Sequence, residues 1–381
     1  MFKKRILSIL VAMLMIVPFG AFHTFALSEE EISAPSAILM EPETKKVLFE
    51  KNAHEIRACA SITKVMTLVL VFEAIEDGKL DYTDIITSSE HAASMGGSDI
   101  WLEKGEQMTA DDMIKAVVVA SANDAAVALA EAICGTEEEF VAKMNEKAKA
   151  LGMNDTTFKN CNGLDEEGHL TSAYDVAIMS SELIRHEKIF DYSTIWIDYL
   201  RGGETQIVNT NKLLKSYKGI KGLKTGTTSQ AGSCMSAVAE RDNMTLVAVV
   251  LGCDTGTGRF SDSAKLLDYG FANYMIKELT LPGGSLAPLK VKSGMETTVT
   301  LKSKTSSKIL LPKSGKTEID YKIEIPEEIE APVKEGEKIG RVQFYSDSAT
   351  LDEFEVFTGE NVEKITFFSA FKFLISKLFS F

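Results

Sequence analysis

The chain contains few cysteine and histidine residues for its length of 381. Its five cysteines are an odd number without a Cys-x-x-Cys pair, which is typical of neither a disulfide framework nor a zinc site. We expect most of them to be small buried residues, although Cys134 and Cys161 could form a disulfide. None of the five histidines lies in a recognisable Ser-His-Asp context, which disfavours that class of hydrolase. No metal or other cofactor is implied.

The chain also lacks the excess of positive charge that is typical of nucleic-acid-binding proteins. Its formal net charge is −14, so a polyphosphate would be repelled, and we expect no nucleic-acid partner. Internal repeats and low-complexity segments are absent as well. With 45% hydrophobic and 25% charged residues, the composition is that of a globular protein with one large domain or two ordinary ones.

The N-terminus has the three parts of a secretory signal peptide, which we assign to residues 1–26. The basic residues 3–5 precede an apolar run at 6–22, and Thr24 and Ala26 occupy the −3 and −1 positions of a signal-peptidase site. The alternative is an uncleaved membrane anchor. Both interpretations place the rest of the chain outside the cytoplasm, so we expect a secreted, extracytoplasmic protein.

Hydrophobic patterning predicts an α+β fold with two domains. In residues 30–280, strand-like runs at the start and end bracket several helical segments, which indicates one sheet with helices on its faces. The segment 62–75 is apolar nearly all round and is typical of a helix buried inside a domain. From 281 to 362 only short strand-like runs follow, and we expect a small β-sandwich-like domain there.

The last segment, residues 363–381, predicts an amphipathic helix. A Phe-rich, Lys-bearing terminal helix is typical of an anchor that lies in the membrane surface. The alternative is a helix that covers the β-domain. We favour the anchor, on the outer face of the cytoplasmic membrane, because so many phenylalanines at a free chain end would otherwise promote aggregation. The apolar face consists of Phe367, Phe368, Phe371, Leu374, Ile375, Leu378 and Phe379.

The run Ser61-Ile62-Thr63-Lys64 opens the buried helix and supplies a nucleophile together with a base. Residues three apart share a helix face, so Lys64 can reach the hydroxyl of Ser61 and take its proton. The backbone amides at the helix N-terminus point toward any oxyanion that forms there. Burial in an apolar helix favours the neutral lysine that a base requires.

The run Ser121-Ala122-Asn123 interrupts a second helical region. A short loop there would hold Ser121 against Lys64, for proton relay to a leaving amine, and would let Asn123 hydrogen-bond the substrate or Lys64. The motif alone is weak, since serine and asparagine are common helix caps.

The run Lys224-Thr225-Gly226 fits a strand at the far wall of a cleft. Lys224 would supply positive charge, Thr225 a hydroxyl for a substrate carboxylate, and Gly226 room for the substrate backbone. This pattern also recurs at Lys292-Ser293-Gly294 in the β-domain, without partner motifs. The order of the three motifs, on a buried helix, a helix break and a strand, is what makes the prediction specific.

The ordered motifs resemble the S-x-x-K, S-x-N and K-T-G set of penicillin-binding proteins and β-lactamases. Nearly the whole chain is similar to the low-molecular-weight penicillin-binding proteins that act as D-alanyl-D-alanine carboxypeptidases. The resemblance implies a β-lactamase/transpeptidase-like catalytic domain, with an antiparallel sheet flanked by helices. It also implies peptidoglycan pentapeptide stems as substrates and β-lactam antibiotics as covalent inhibitors. Further similar segments are residues 58–67, 94–98, 121–126, 160–164, 222–226 and 266–271.

The resemblance also implies roles for individual residues. Ser61 is the acylated nucleophile, Lys64 is its base, and the backbone amides of Ser61 and Thr227 form the oxyanion hole. Thr227 stands where some members have histidine. The catalytic residues implied are Ser61, Lys64, Ser121 and Asn123, and the substrate-binding residues are Lys224, Thr225, Gly226 and Thr227.

We therefore expect removal of the terminal D-alanine from pentapeptides through an acyl-enzyme. A D,D-endopeptidase would use the same residues. A β-lactamase of this fold needs an efficient deacylating base, and no Glu-x-x-Leu-Asn run lies between Asn123 and Lys224. A non-catalytic cell-surface binding protein would have no need to retain Ser61, Lys64 and both other motifs.

Overall fold

A computed structural model describes residues 26–315, 318–347 and 349–378, with only the backbone described at 373, 374 and 376–378. The predicted signal peptide lies outside the described residues except for Ala26, and so do residues 379–381 of the predicted anchor helix.

The central element is an antiparallel sheet of strand order β2-β1-β9-β8-β7. Two short two-stranded antiparallel sheets, β3–β4 and β5–β6, lie apart from it. The antiparallel sheet flanked by helices confirms the predicted architecture. The strands are β1 (Ser36–Glu41), β2 (Lys46–Lys51), β3 (Ile85–Thr87), β4 (Gln107–Thr109), β5 (Ile197–Leu200), β6 (Thr205–Val208), β7 (Ile220–Thr228), β8 (Gly232–Arg241) and β9 (Met244–Cys253).

Both faces of this sheet are covered by helices. Successive side chains of a strand point to opposite faces, and in β1 the residues Ile38 and Met40 belong to one buried cluster while Ala37 and Leu39 belong to another. Every residue of β1 is therefore buried. The helices are α1 (Lys64–Glu76), α2 (Glu90–Ala93), α3 (Ala110–Lys115), α4 (Asn123–Cys134), α5 (Glu137–Ala150), α6 (Ala173–Leu183), α7 (Ile189–Ser193) and α8 (Gly256–Asn273).

The two sides of the sheet differ in their helices. The helix α1 lies in the larger cluster and is buried along most of its length, as its apolar pattern predicted. The helix α8 covers the other face through Leu266, Leu267 and Phe271. It approaches the sheet closely at Gly270, where an added Cβ would lie 2.5 Å from a methyl carbon of Leu246.

The helix α3 leads into the region of the second motif. Its N-cap is Thr109, whose hydroxyl accepts a hydrogen bond from the backbone N–H of Asp112. A π-helical turn, Ala116–Ala120, follows and ends at Ser121, which adopts the left-handed conformation with φ of 64°. The helix α4 then begins at Asn123. The second motif thus occupies a sharp break between helices.

The chain after residue 273 forms strands with small apolar clusters of their own. The strand β10 pairs with β14, so the pairing of this region begins at Tyr274, ahead of the predicted boundary at 281. Sheets of order β12-β11-β16 and β13-β18-β17-β15 complete it. The strands are β10 (Tyr274–Thr280), β11 (Leu289–Lys292), β12 (Thr298–Val299), β13 (Leu301–Ser303), β14 (Ser306–Pro312), β15 (Asp320–Glu324), β16 (Glu328–Glu330), β17 (Lys338–Ser346) and β18 (Ala349–Thr358).

The final helix, α9, spans Phe367–Leu378. Its aromatic side chains are exposed, with Phe367 and Phe368 each at 81% and Phe371 at 55%. Phe367 stacks on Phe371 within the helix. Among the described residues, no helix has the length and apolar character needed to cross a membrane.

Candidate active site

Ser61 lies where the chain enters the buried helix. Residues Ala60–Thr63 form a 3-10 turn, and Lys64 begins α1 directly after it. The Nζ atom of Lys64 lies 3.1 Å from the Oγ atom of Ser61 and donates to it. The spacing of three residues thus brings nucleophile and lysine together, as the sequence predicted.

Lys64 is fully buried and makes two further hydrogen bonds. Its Nζ atom donates to Oδ1 of Asn123 at 2.5 Å and to the carbonyl oxygen of Asn162 at 2.6 Å. Burial lowers the pKa of Lys64 to about 7, an effect that Cys161 and Asp124 partly oppose. A substantial fraction of Lys64 is therefore neutral at physiological pH, which is the form that can accept a proton.

Asn123 connects this lysine to a loop on the other side. While its Oδ1 atom accepts from Lys64, its Nδ2 atom donates to the carbonyl oxygen of Gly96 at 2.6 Å. Its backbone N–H donates to the carbonyl of Ser98. Both the oxygen and the nitrogen of the Asn123 side-chain amide are thus hydrogen-bonded, and the amide holds Lys64 in place.

The position of Ser121 differs from the prediction. We expected its hydroxyl to lie against Lys64, but the structure places it next to Lys224, whose Nζ atom donates to Ser121 Oγ at 2.9 Å. The left-handed backbone at Ser121 turns the side chain toward the strand β7, and the Nζ atom of Lys64 already has three acceptors. Each lysine therefore forms a hydrogen bond with a different serine: Lys64 with Ser61 and Lys224 with Ser121.

The third motif lies on β7, the edge strand of the sheet. Lys224 is buried and also donates to the carbonyl of Thr225 at 2.9 Å. Burial lowers the pKa of Lys224 well below its usual value, and the positive charges of Lys64 and Arg259 lower it further. Lys224 therefore loses its proton more readily than an exposed lysine does.

Gly226 permits close contact between β7 and the turn that carries Ser61. An added Cβ at Gly226 would lie 2.8 Å from the carbonyl oxygen of Cys59 and 3.0 Å from the backbone nitrogens of Ser61 and Ile62. Real Cβ atoms do not approach backbone so closely, so the glycine is required here by packing. This contact brings the outer edge of β7 next to the nucleophile.

Three residues outside the motifs complete the site, and sequence reasoning gave them no role. The Asn162 carbonyl binds Lys64, and the hydroxyl of Thr210 lies 2.6 Å from that of Thr225. Arg259 donates from Nη1 to Thr227 Oγ1 at 2.7 Å and to the Gly226 carbonyl at 2.9 Å. Asn162 lies in a segment similar to the family, which could have drawn attention to it. Arg259 stands on α8 and has no local motif.

The site brings three basic side chains close together. Lys64, Lys224 and Arg259 lie close enough that the charges of Lys64 and Arg259 depress the pKa of Lys224. Within the described residues, none of the three forms an ion pair with a carboxylate. The Nε–H of Arg259 is buried and has no acceptor in the described part of the chain. Such a site favours a substrate that brings a negative charge.

The described residues contain no cluster of three or more histidine, cysteine, aspartate or glutamate side chains suited to a metal ion. All five cysteines are free thiols, so the disulfide considered for Cys134 and Cys161 is not formed. Four of the five are buried, as expected for small core residues. The site brings together two serine–lysine pairs, Ser61 with Lys64 and Ser121 with Lys224.

The chain matches two known protein families in its two parts. Residues 23–255 match the family model described as D-alanyl-D-alanine carboxypeptidase, and residues 274–364 match the C-terminal domain of penicillin-binding protein 5. The chain is 42% identical to the D-alanyl-D-alanine carboxypeptidase DacF of Bacillus subtilis over 379 residues, covering 97% of both chains.

Solved structures are similar to most of the chain or to a smaller part of it. The chain resembles penicillin-binding protein 5 of Haemophilus influenzae with a TM-score of 0.77 and 30% identity, covering 89% of this chain and all of that one. It also resembles ampicillin-bound penicillin-binding protein D2 of Listeria monocytogenes, with a TM-score of 0.58 and 32% identity, over 63% of this chain and 98% of that one. The chain therefore belongs to the D-alanyl-D-alanine carboxypeptidase family of serine peptidases.

Proposed function

We propose that this protein removes the terminal D-alanine from pentapeptide stems of peptidoglycan through an acyl-enzyme on Ser61. The observation that carries the proposal is the hydrogen bond of 3.1 Å between Lys64 Nζ and Ser61 Oγ, made by a buried lysine whose pKa is lowered to about 7. A neutral lysine at this distance can act as the general base that a serine nucleophile requires.

The first step is attack by Ser61 on the carbonyl carbon of the penultimate D-alanine. The Ser61 oxygen forms the new C–O bond while Lys64 accepts the hydroxyl proton. The carbonyl oxygen becomes an oxyanion, for which the backbone N–H groups of Ser61 and Thr227 are the expected donors. Ser61 lies in the first turn of its helix, where backbone N–H groups lack partners within the helix.

The second step breaks the peptide bond. The leaving nitrogen takes a proton from the Ser121 hydroxyl, and Lys224 replaces that proton through its hydrogen bond to Ser121 Oγ. Terminal D-alanine leaves as a free amino acid. Proton exchange with solvent then returns Lys64 to its neutral form and Lys224 to its charged form. Water attacks the ester carbonyl while Lys64 accepts its proton, and Lys64 gives that proton to Ser61 Oγ as the ester C–O bond breaks. The shortened peptide leaves as a carboxylic acid and the Ser61 hydroxyl is restored.

Binding of the C-terminal carboxylate is assigned to the end of β7. Arg259 places its guanidinium against Thr227 Oγ1 and the Gly226 carbonyl, and arginine binds carboxylates through paired N–H groups. The outer edge of β7 offers backbone groups to an extended peptide, which can add to the sheet as a further strand. A peptide with a free carboxylate one residue beyond the scissile bond fits both features.

The same site explains why β-lactams would acylate Ser61. The relative from Listeria monocytogenes was solved in an ampicillin-bound form. A lactam amide placed over Ser61 opens to an ester in the same way as the peptide, but its amine stays attached and does not diffuse away. We expect slow deacylation for this reason.

The test is incubation of the purified protein with diacetyl-Lys-D-Ala-D-Ala, with free D-alanine as the readout. Wild type should release D-alanine and Ser61→Ala should not. Stoichiometric penicillin labelling without release would show a competent acylation site for another substrate. If neither release nor labelling occurs, or if Ser61→Ala retains both, the proposed function is wrong.

We further propose that the protein is secreted and is attached to the outer face of the cytoplasmic membrane by α9. The exposure of Phe367, Phe368 and Phe371 supports an in-plane anchor, with Lys372 also exposed beside them. The predicted signal peptide supports secretion. Removal of residues 366–381 should release the mature protein from membranes and keep D-alanine release in solution. Continued sedimentation of the truncated protein with membranes would contradict the anchor.

A further inference from the structure

A buried histidine lies behind the nucleophile, outside the three motifs. His169 is 4% exposed, and its Nδ1 atom lies 3.0 Å from the backbone nitrogen of Lys159. On the other side of the ring, its Nε2 atom lies 2.7 Å from the hydroxyl oxygen of Thr63. Thr63 is itself buried and lies between Ser61 and Lys64 in the chain.

The directions of these hydrogen bonds follow from the groups involved. A backbone N–H only donates, so His169 Nδ1 must accept from Lys159, and the proton of the neutral ring is on Nε2. Nε2–H therefore donates to Thr63 Oγ1. The Thr63 hydroxyl then donates to the carbonyl oxygen of Ala60 at 2.9 Å. Burial lowers the pKa of His169 to about 4, against the opposing effect of Glu166 and Asp165, which agrees with a neutral ring.

The carbonyl at the end of this chain belongs to the same peptide unit as the amide of Ser61. A trans peptide is planar, so its C=O and N–H point in opposite directions, and fixing the Ala60 oxygen also fixes the Ser61 N–H. Ala60 has a φ of 51°, which is uncommon for a residue with a side chain. That unusual conformation needs support from its surroundings.

The Ala60 carbonyl is closely packed against neighbouring residues. Gly163 packs against it, since an added Cβ there would lie 2.0 Å from the Ala60 oxygen. The Sγ atom of the buried Cys59 lies 3.4 Å from Thr63 Oγ1. Burial raises the pKa of Cys59 to about 12, so it is a neutral thiol in this cluster.

We propose that His169 and Thr63 are positioning residues for acylation: their hydrogen-bond chain orients the Ala60–Ser61 peptide so that the Ser61 N–H points at the developing oxyanion. The inference rests on the proposed role of Ser61 as nucleophile. Neither side chain touches the reacting atoms. Their effect is on the rate of the chemical step rather than on ground-state binding, because the oxyanion forms only in the transition state.

A matched pair of substitutions at Thr63 tests the inference. Thr63→Val keeps the shape and removes the hydroxyl, whereas Thr63→Ser keeps the hydroxyl and removes the methyl group. Stopped-flow acylation by penicillin gives the dissociation constant of the initial complex and the acylation rate constant separately. Removing an oxyanion donor outright lowers rates by ~10²–10³-fold, and we expect misorientation by Thr63→Val to cost about tenfold or more. The dissociation constant should change less, and Thr63→Ser should restore most of the rate.

The affinity for a boronate analogue distinguishes a positioning role from a merely structural one. Its adduct with Ser61 is tetrahedral and presents an oxygen to the oxyanion hole. Thr63→Val should therefore lose affinity for a D-alanine-derived boronate in proportion to its loss of acylation rate. If Thr63→Val does not fold, as judged by its melting transition, His169→Leu is measured in the same way, since leucine has neither a donor for Thr63 nor an acceptor for the Lys159 N–H.

Two results would overturn the inference while leaving the proposed function intact. One is folded Thr63→Val that acylates at the wild-type rate. The other is a larger loss in Thr63→Ser than in Thr63→Val, which would assign the effect to packing of the methyl group rather than to the hydroxyl. Failure of the proposed function is distinct, because it would be seen as absence of acylation in the wild type.

Discussion

Lys64 and Asn123 are joined by a hydrogen bond of 2.5 Å from Nζ to Oδ1, which holds the lysine beside the nucleophile without giving it a negative partner. An amide oxygen orients an ammonium group but stabilises its charge less than a carboxylate would. The same lysine is fully buried, which disfavours the charged form. The hydrogen bond to Asn123 therefore orients Lys64, while burial keeps the pKa of Lys64 low.

The acylation rate should depend on pH through the ionisation of Lys64. Because the neutral form is the base and its pKa is about 7, the rate of penicillin acylation should fall roughly tenfold per unit below that pH and level off above it. Lys64→Arg, which stays protonated, should lower the rate by about 10²-fold or more. The measurement is the acylation rate constant between pH 5 and pH 9. A flat profile across this range would show that Lys64 is not the base.

Ser121 and Lys224 should act as a unit. Ser121→Ala and Lys224→Met each remove one side of the bond of 2.9 Å between them, so the double variant should acylate little more slowly than the worse single variant. Lys221→Met is the matched control, since Lys221 lies on the same strand and pairs with Glu240. Its loss should be small and should multiply with that of Ser121→Ala. Fully multiplicative losses for Ser121→Ala with Lys224→Met would contradict the coupling.

The sequence predicted the elements that carry the motifs because their patterns are local. The apolar helix α1, the helix break at Ser121 and the strand at Lys224 depend on neighbouring residues, and each is present in the structure. The partner of Ser121 was predicted wrongly. Its side-chain direction depends on a left-handed φ at one position, which the residue type does not encode.

The remaining parts of the site depend on long-range packing. Arg259 reaches Thr227 because α8 covers the sheet face behind β7, a relationship set by the whole topology. His169 reaches Thr63 from a loop 106 positions away. His169 lies outside all three motifs, yet it is buried behind Ser61. No spacing rule within the motifs gives either contact.

Arg259 should select for substrates with a free C-terminal carboxylate. Arg259→Ala should lower kcat/KM for diacetyl-Lys-D-Ala-D-Ala by roughly 10- to 100-fold, because a charge-assisted bond to the carboxylate is lost. The same variant should differ little from wild type on the C-terminal amide of that peptide, which brings no charge. Steady-state release of D-alanine or D-alaninamide measures both. Equal losses on the acid and the amide would show that Arg259 supports β7 rather than recognising the carboxylate.

Gly163 should be required for its close contact with the Ala60 carbonyl and not only for its backbone conformation. Gly163 and Gly105 have similar positive φ values, 88° and 82°, but an added Cβ would lie 2.0 Å from Ala60 O at Gly163 and would meet nothing within 4 Å at Gly105. The matched pair Gly163→Ala and Gly105→Ala therefore separates conformational strain from steric contact. Strain alone costs about 1–2 kcal/mol, so Gly105→Ala should lower the melting temperature modestly and leave acylation unchanged.

Gly163→Ala should be destabilised more than Gly105→Ala and should also lose acylation by roughly 10²-fold. The added methyl must displace the Ala60 carbonyl, and with it the Ser61 amide at the other end of that peptide. Melting transitions and penicillin acylation rates of the two variants provide the comparison. If the two variants lose equal stability and both acylate normally, the turn before Ser61 tolerates displacement, and the close packing at Gly163 has no part in aligning the nucleophile.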